Sequence, residues 1–174
     1  MPKIYLHALV MCIFVLAGCQ SFPKDDIKTT TEADPKANIK GYKTYAWLGS
    51  AGILKDPEGK WEPPKYDADA EITLLINQEL RERGMTQVST KPDVVVAYAL
   101  GVDMAALKTK TDPNTKLKVL ENVPQGALMV VLIDGNSGFA IWAGAATAEI
   151  KNLSPEVSKQ RLGYAISEMF SKLP

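Results

Sequence analysis

Asp93-Val94-Val95-Val96-Ala97-Tyr98-Ala99-Leu100-Gly101-Val102-Asp103-Met104-Ala105 decides the fold of this chain. Its period is two, the period of a strand. Val94, Val96, Tyr98, Leu100, Val102 and Met104 face one way. Val95, Ala97, Ala99, Gly101, Asp103 and Ala105 face the other, and that second set is small. A face of small side chains lets a helix approach closely, so a helix is expected on it.

Further strands lie on either side. Tyr42 to Leu48 alternates and reads as a first strand, and Met85 to Ser89 as a short one. Ala127 to Ile133 and Phe139 to Ile150 flank Asp134-Gly135-Asn136-Ser137-Gly138, a strong hairpin turn. Residues 49–64, with three prolines and three glycines, read as a long loop. Residues 107–126 carry Lys108, Lys110, Lys116 and Lys118 and the turn signal Asp112-Pro113-Asn114. They read as a short hairpin at the sheet edge, where lysines discourage edge pairing.

Two helices complete the set. Asp67 caps the first, Ala68, Ile72, Leu75, Ile76 and Leu80 share one face, and Gly84 ends it. Glu79 and Arg83 are one turn apart and placed to pair. Ser154 caps the second, Pro155 takes its first position, and Leu162, Ala165, Ile166, Met169, Phe170 and Leu173 form the apolar stripe. The expected architecture is α+β: a mainly antiparallel sheet of about five strands with two helices packed on one face.

Residues 1–18 stand outside that pattern. Lys3 precedes an apolar run from Ile4 to Leu16, broken by His7, and then come Ala17, Gly18 and Cys19. This is the layout of a secretory signal. The run is short of the roughly 17–25 residues a membrane span needs. Leu16-Ala17-Gly18-Cys19 resembles the bacterial lipoprotein box. That resemblance implies cleavage between Gly18 and Cys19, diacylglycerol on the Cys19 thiol and a further acyl chain on the new amine. Two or three acyl chains anchor stably where one does not. Gln20 in place of Asp implies the outer membrane, with the domain facing the periplasm. Ser21 to about Lys40 is polar, holds two prolines and reads as a flexible tether, so that 19–40 is anchor plus tether and 41–174 the single domain.

The chain has 174 residues and 20 basic against 20 acidic side chains, which excludes nucleic-acid binding by bulk charge. Cleavage would remove His7 and Cys12 and leave an acylated Cys19, which excludes histidine-dependent triads and a tight zinc site. No cofactor, metal or catalytic residue is expected. The domain is expected to be non-enzymatic: a binding or assembly-accessory module of unknown ligand, held to the membrane by Cys19, with an envelope protein as partner.

The rival is an enzyme acting on cell wall or lipid through carboxylates. Asp103, Asp134 and Glu149 are its candidates, since two carboxylates about 5–9 Å apart run glycoside hydrolysis. Asp134 is better explained as a turn residue. Tyr42, Tyr45, Trp47, Trp61, Tyr98 and Trp142 are candidates for a ligand groove or for core. The lysine-bearing segment is a solvated loop or a contact for anionic lipid.

The order of elements and several short motifs resemble one family of small bacterial lipoproteins, domain of unknown function number 4136. The motifs are Tyr42-Lys43-Thr44-Tyr45-Ala46-Trp47, the helix ending at Gly84, Lys91-Pro92-Asp93-Val94-Val95-Val96-Ala97-Tyr98, Leu132-Ile133-Asp134-Gly135, Trp142-Ala143-Gly144-Ala145 and the closing helix. The resemblance covers about residues 39–174 and implies an envelope location and this fold; the family has no established activity. The segment 107–126 matches none of its motifs.

Overall fold

The computed structural model describes residues 21–114 and 116–174. Its strands are β1 (Lys28–Ala33), β2 (Thr44–Lys55), β3 (Thr86–Gln87), β4 (Val94–Asp103), β5 (Leu107–Thr111), β6 (Lys118–Asn122), β7 (Gln125–Asp134) and β8 (Ala140–Glu149). Its helices are α1 (Ala68–Glu82) and α2 (Pro155–Phe170). Six strands form one sheet in the order β1-β8-β7-β4-β2-β3, and β5 and β6 form a separate two-stranded ribbon. The class is α+β, as expected. The sheet differs from the five-stranded, mainly antiparallel expectation: β2 runs parallel to both β3 and β4, so the sheet is mixed.

The helix signals act as read. Asp67 accepts the Ala70 amide and Ser154 the Val157 amide, so each helix has its N-cap. Gly84 follows α1 at φ 78°. Arg83 donates to Glu79 at 2.7 Å and also to the Phe170 carbonyl, which ties the end of α1 to the end of α2.

The helices lie on the other face of the sheet from the one expected. Val94, Val96 and Tyr98 of β4 are buried with Leu128, Val130 and Leu132 of β7, Trp142 and Ala146 of β8, and Ile72, Ile76, Leu80, Ile166, Met169 and Phe170 of the helices. Area decides this. A buried Val, Leu, Ile or Phe side chain contributes about 1.5–3 kcal/mol, and the small set has little to bury. One close approach does occur on the helix side: a Cβ on Gly144 would stand 3.2 Å from Met169 Cβ and 2.5 Å from the Trp142 ring. The small set, Val95, Ala97, Ala99 and Gly101, lies on a face that no element among the described residues covers. Their register partners Ile133, Val131, Met129 and Ala127 share that face, and Met129 is exposed.

Two stretches read as irregular are strands. β2 continues from Trp47 to Lys55 through the supposed loop, with a bulge at Leu48 and Gly49 (φ 151°) that shifts its register on β4 by one residue. That outer half lacks β3 as a neighbour and is exposed. The 21–40 segment is also not a free tether. Lys28–Ala33 pairs with residues 142–147 of β8 as the sixth strand, and Ile39 is buried in the core. Neither segment has an apolar period, so only pairing with a neighbour reveals it. The 107–126 segment is a hairpin as expected, and it projects as its own ribbon rather than joining the sheet edge.

Candidate functional site

The described chain begins on the body. The Phe22 ring meets Tyr164 of α2 edge-on at 6.0 Å, and the Lys24 ammonium lies 4.6 Å over that tyrosine ring. Arg161, also on α2, donates to the Pro23 carbonyl. Its guanidinium grips both oxygens of Asp26, at 3.0 and 2.7 Å. Lys151 donates to the same carboxylate at 2.7 Å, and the Glu149 amide at 2.9 Å. Arg161 is the buried charged residue among those described, at 7% exposure. Burial pushes the Asp26 pKa up. The hydrogen bonds from Arg161, Lys151 and the Glu149 amide outweigh that and hold it well below the usual carboxylate range. The carboxylate is therefore charged at any physiological pH, and it fastens the incoming chain to α2 and β8.

Register places several other features at this end of the sheet. Asp103, Gln125 and Glu149 lie side by side, because β4 pairs β7 and β7 pairs β8. Asp103 and Glu149 are thus two strand spacings apart, about 10 Å between Cα atoms. Each is held by a lysine at 3.1 Å, Lys55 on Asp103 and Lys108 on Glu149. Lys108 belongs to β5, so Glu149 joins the base of the ribbon to the strand whose amide holds Asp26.

Asp134 sits at the opposite end of the sheet, nine residues or about 30 Å along β7 from Gln125. It accepts from the Ser137 and Asn136 amides and from the Tyr42 hydroxyl at 2.8 Å. The Ser137 hydrogen bonds, joined by Tyr42, lower its pKa to about 2. It cannot hold a proton near neutrality, so it is no general acid. The same bond raises the Tyr42 pKa. Asp93 beside it accepts from the Lys43 and Thr44 amides, and the Lys43 amide leads in lowering its pKa. The three carboxylate candidates therefore form no triad: Asp103 and Glu149 share one end, and Asp134 closes a turn at the other.

The aromatic candidates divide. Tyr45 and Trp142 are core, and the Trp142 ring lies 5.1 Å from that of Phe170. Trp142 Nε1 is buried without an acceptor. Tyr45 and Trp47 both donate to Asn77 of α1, and Trp47 meets Tyr98 edge-on at 6.0 Å. The Tyr98 hydroxyl donates to Asp69. Beside it, Ser50, Gly52, Asp69, Ile72 and Leu100 frame an open depression of about 140 Å³, below the roughly 300 Å³ of small-molecule sites. Tyr42 serves the turn, and the Trp61 amide closes a loop on Asp56. The six aromatics line no common groove.

Gly18 and Cys19 lie outside the described residues. No helix among the described residues is long and apolar enough to cross a membrane. No cluster of three metal-ligating side chains occurs among them. The Asp26–Arg161 pair is absent from the sequence-based candidates. Its signal was weak: an arginine at 161, one residue before Leu162 of the apolar stripe, on a helix side that packs.

A family model described as domain of unknown function DUF4136 matches residues 29–174. No curated protein sequence matches the chain. Among solved structures, a DUF4136 family protein from Bacteroides thetaiotaomicron is 10% identical with a TM-score of 0.55, over 85% of this chain and 96% of that one. PelC from Paraburkholderia phytofirmans, described as a dodecamer, is 18% identical with a TM-score of 0.50, over 83% of this chain and 96% of that one. A PDZ domain protein from Parabacteroides distasonis is 14% identical with a TM-score of 0.51; 86% of this chain spans 36% of that protein. Identities this low establish likeness of fold alone.

Proposed function

This chain belongs to the DUF4136 family, and from that membership we propose that it is an envelope lipoprotein, anchored through acylated Cys19, whose domain binds an envelope partner without catalysis. The reading places the domain in the periplasm at the outer membrane. The observation that carries the binding role is the uncovered sheet face. Half-buried Val95, Ala97, Ala99, Val131, Ala143 and Ala145 and exposed Met129 share the apolar sheet face opposite the one that the helices cover. A surface of that kind accepts another apolar surface without clefts to fill. Self-association on it is a second form of the same reading, favoured by the dodecamer of PelC. The carboxylates support the non-enzymatic reading: each candidate is occupied by a lysine or a turn, and none lies in an enclosed pocket.

The test uses Ala145→Glu, a charge placed on that face. Loss of a defined crosslinked complex from intact envelopes, with the melting temperature within a few degrees of the parent, is the expected result. An unchanged complex contradicts the assignment of the face. The enzymatic alternative has its own test. Asp103→Asn with Glu149→Gln should leave the phenotype that deletion abolishes; loss of that phenotype in a folded variant would favour carboxylate chemistry.

A further inference from the structure

We propose that the β5–β6 ribbon is a second membrane contact, seated in the headgroup region beside the acyl anchor. The inference rests on the reading of Cys19 as the lipidated residue.

Chain length carries the argument. Phe22 is already docked on Tyr164, and Cys19 lies only three residues before it. Three residues reach at most about 10 Å. A lipid on Cys19 therefore holds this end of the body against the bilayer, because there is no long tether to lift it away. The ribbon leaves the sheet at the same end. Its first strand is tied through Lys108 to Glu149, whose amide holds Asp26.

The ribbon has the composition that a bilayer surface takes. Leu107 and Asn122 are paired, as are Thr109 and Leu120, so Leu107 and Leu120 share one face. Leu107 is 63% exposed and Leu120 72%, and Leu117 near the turn is 66% exposed. Every residue of β6 is exposed. A two-stranded ribbon with bare leucines and no core beneath it is marginal in water. Buried at the acyl boundary, those leucines leave water while the lysines stay among headgroups. Leaving aside Lys108, which pairs with Glu149, the segment carries Lys110, Lys116 and Lys118 against Asp112 and Glu121 in sequence, so it stays net positive and suits anionic lipid. The hairpin turn at Asn136 lies at the far end of the sheet and provides the internal control.

The test uses the full acylated chain in vesicles of phosphatidylethanolamine and phosphatidylglycerol. Nitroxides are placed on Leu120→Cys and, separately, on Asn136→Cys, and the intact mass reports the acyl chains. The expected result is an oxygen-over-aqueous-nickel accessibility ratio several-fold higher at 120 than at 136. Equal, water-like ratios in protein whose mass shows the acyl chains overturn the ribbon contact and leave the anchor standing. A lipid-like ratio at 120 in protein lacking acyl chains supports the ribbon and overturns the anchor. Water-like ratios without acyl chains overturn both.

Discussion

The two ends of the sheet are each closed by an aspartate that collects donors, and they do so by different physics. At the turn end, Asp134 satisfies the Ser137 and Asn136 amides of its own hairpin and receives Tyr42. At the other end, Asp26 reaches Arg161, 135 residues later in the chain. The first rests mainly on amides of its own turn, so it is cheap to replace by another turn. The second is buried, and each charge there depends on the other. A buried pair adds little over a well-packed apolar pair, but losing one member is costly. The turn end shapes a hairpin. The Asp26 end determines where the N-terminal chain meets the body.

The comparison sets a scale for substitution. Asp26→Ala leaves the Arg161 guanidinium buried and unpaired, and should cost about 3 kcal/mol or more in urea unfolding. Asp26→Leu combined with Arg161→Met should recover most of that loss; failure to recover would mean the pair is more than a satisfied burial. Gly135→Ala comes next. A Cβ there would stand 2.1 Å from the Pro92 carbonyl oxygen, a backbone atom that has no rotamer to give way, and overpacking of this kind costs about 1–3 kcal/mol.

The pH dependence separates the ends more finely. The folded pKa of Asp26 is depressed, so the unfolded chain takes up that proton first. Its contribution is complete above the ordinary aspartate value of about 4 and fades as pH falls below it. Asp26→Asn should therefore flatten the acid limb of a stability curve between roughly pH 4 and pH 2. An acid limb as steep as the parent's would contradict the clamp. Asp134→Asn should flatten it less, because its partners are turn amides and a tyrosine hydroxyl rather than cations. Tyr42→Phe removes one hydroxyl from the same turn and should have the smallest effect, detectable as a small fall in melting temperature.

What the sequence reveals follows the same division. Local chemistry is legible. Asp67 and Ser154 cap their helices, Gly84 ends α1, and Asp134 to Gly138 turns the chain, each from residues a few positions apart. Glu79 and Arg83 pair as their spacing suggests. Long-range chemistry is not legible. Lys28–Ala33 is a threonine-rich polar stretch that becomes a strand only because β8 offers a free edge. Ser50 to Leu54 carries two glycines in its neighbourhood yet pairs with Tyr98 to Val102 of β4. The helix-bearing face is not legible from the small side chains of β4, because buried area outweighs close approach. The carboxylate candidates were legible as residues, and their separation by the sheet's length was not.

We propose that a lipid on Cys19, seven residues before Asp26 in the chain, holds this protein to a membrane. The intact mass of protein purified from membranes tests it most directly, with Cys19→Ala as the control. The expected mass is that of residues 19–174 plus two or three acyl chains, absent from the control. A parent protein that begins at residue 1, or at any position other than 19, and carries no acyl mass would contradict it.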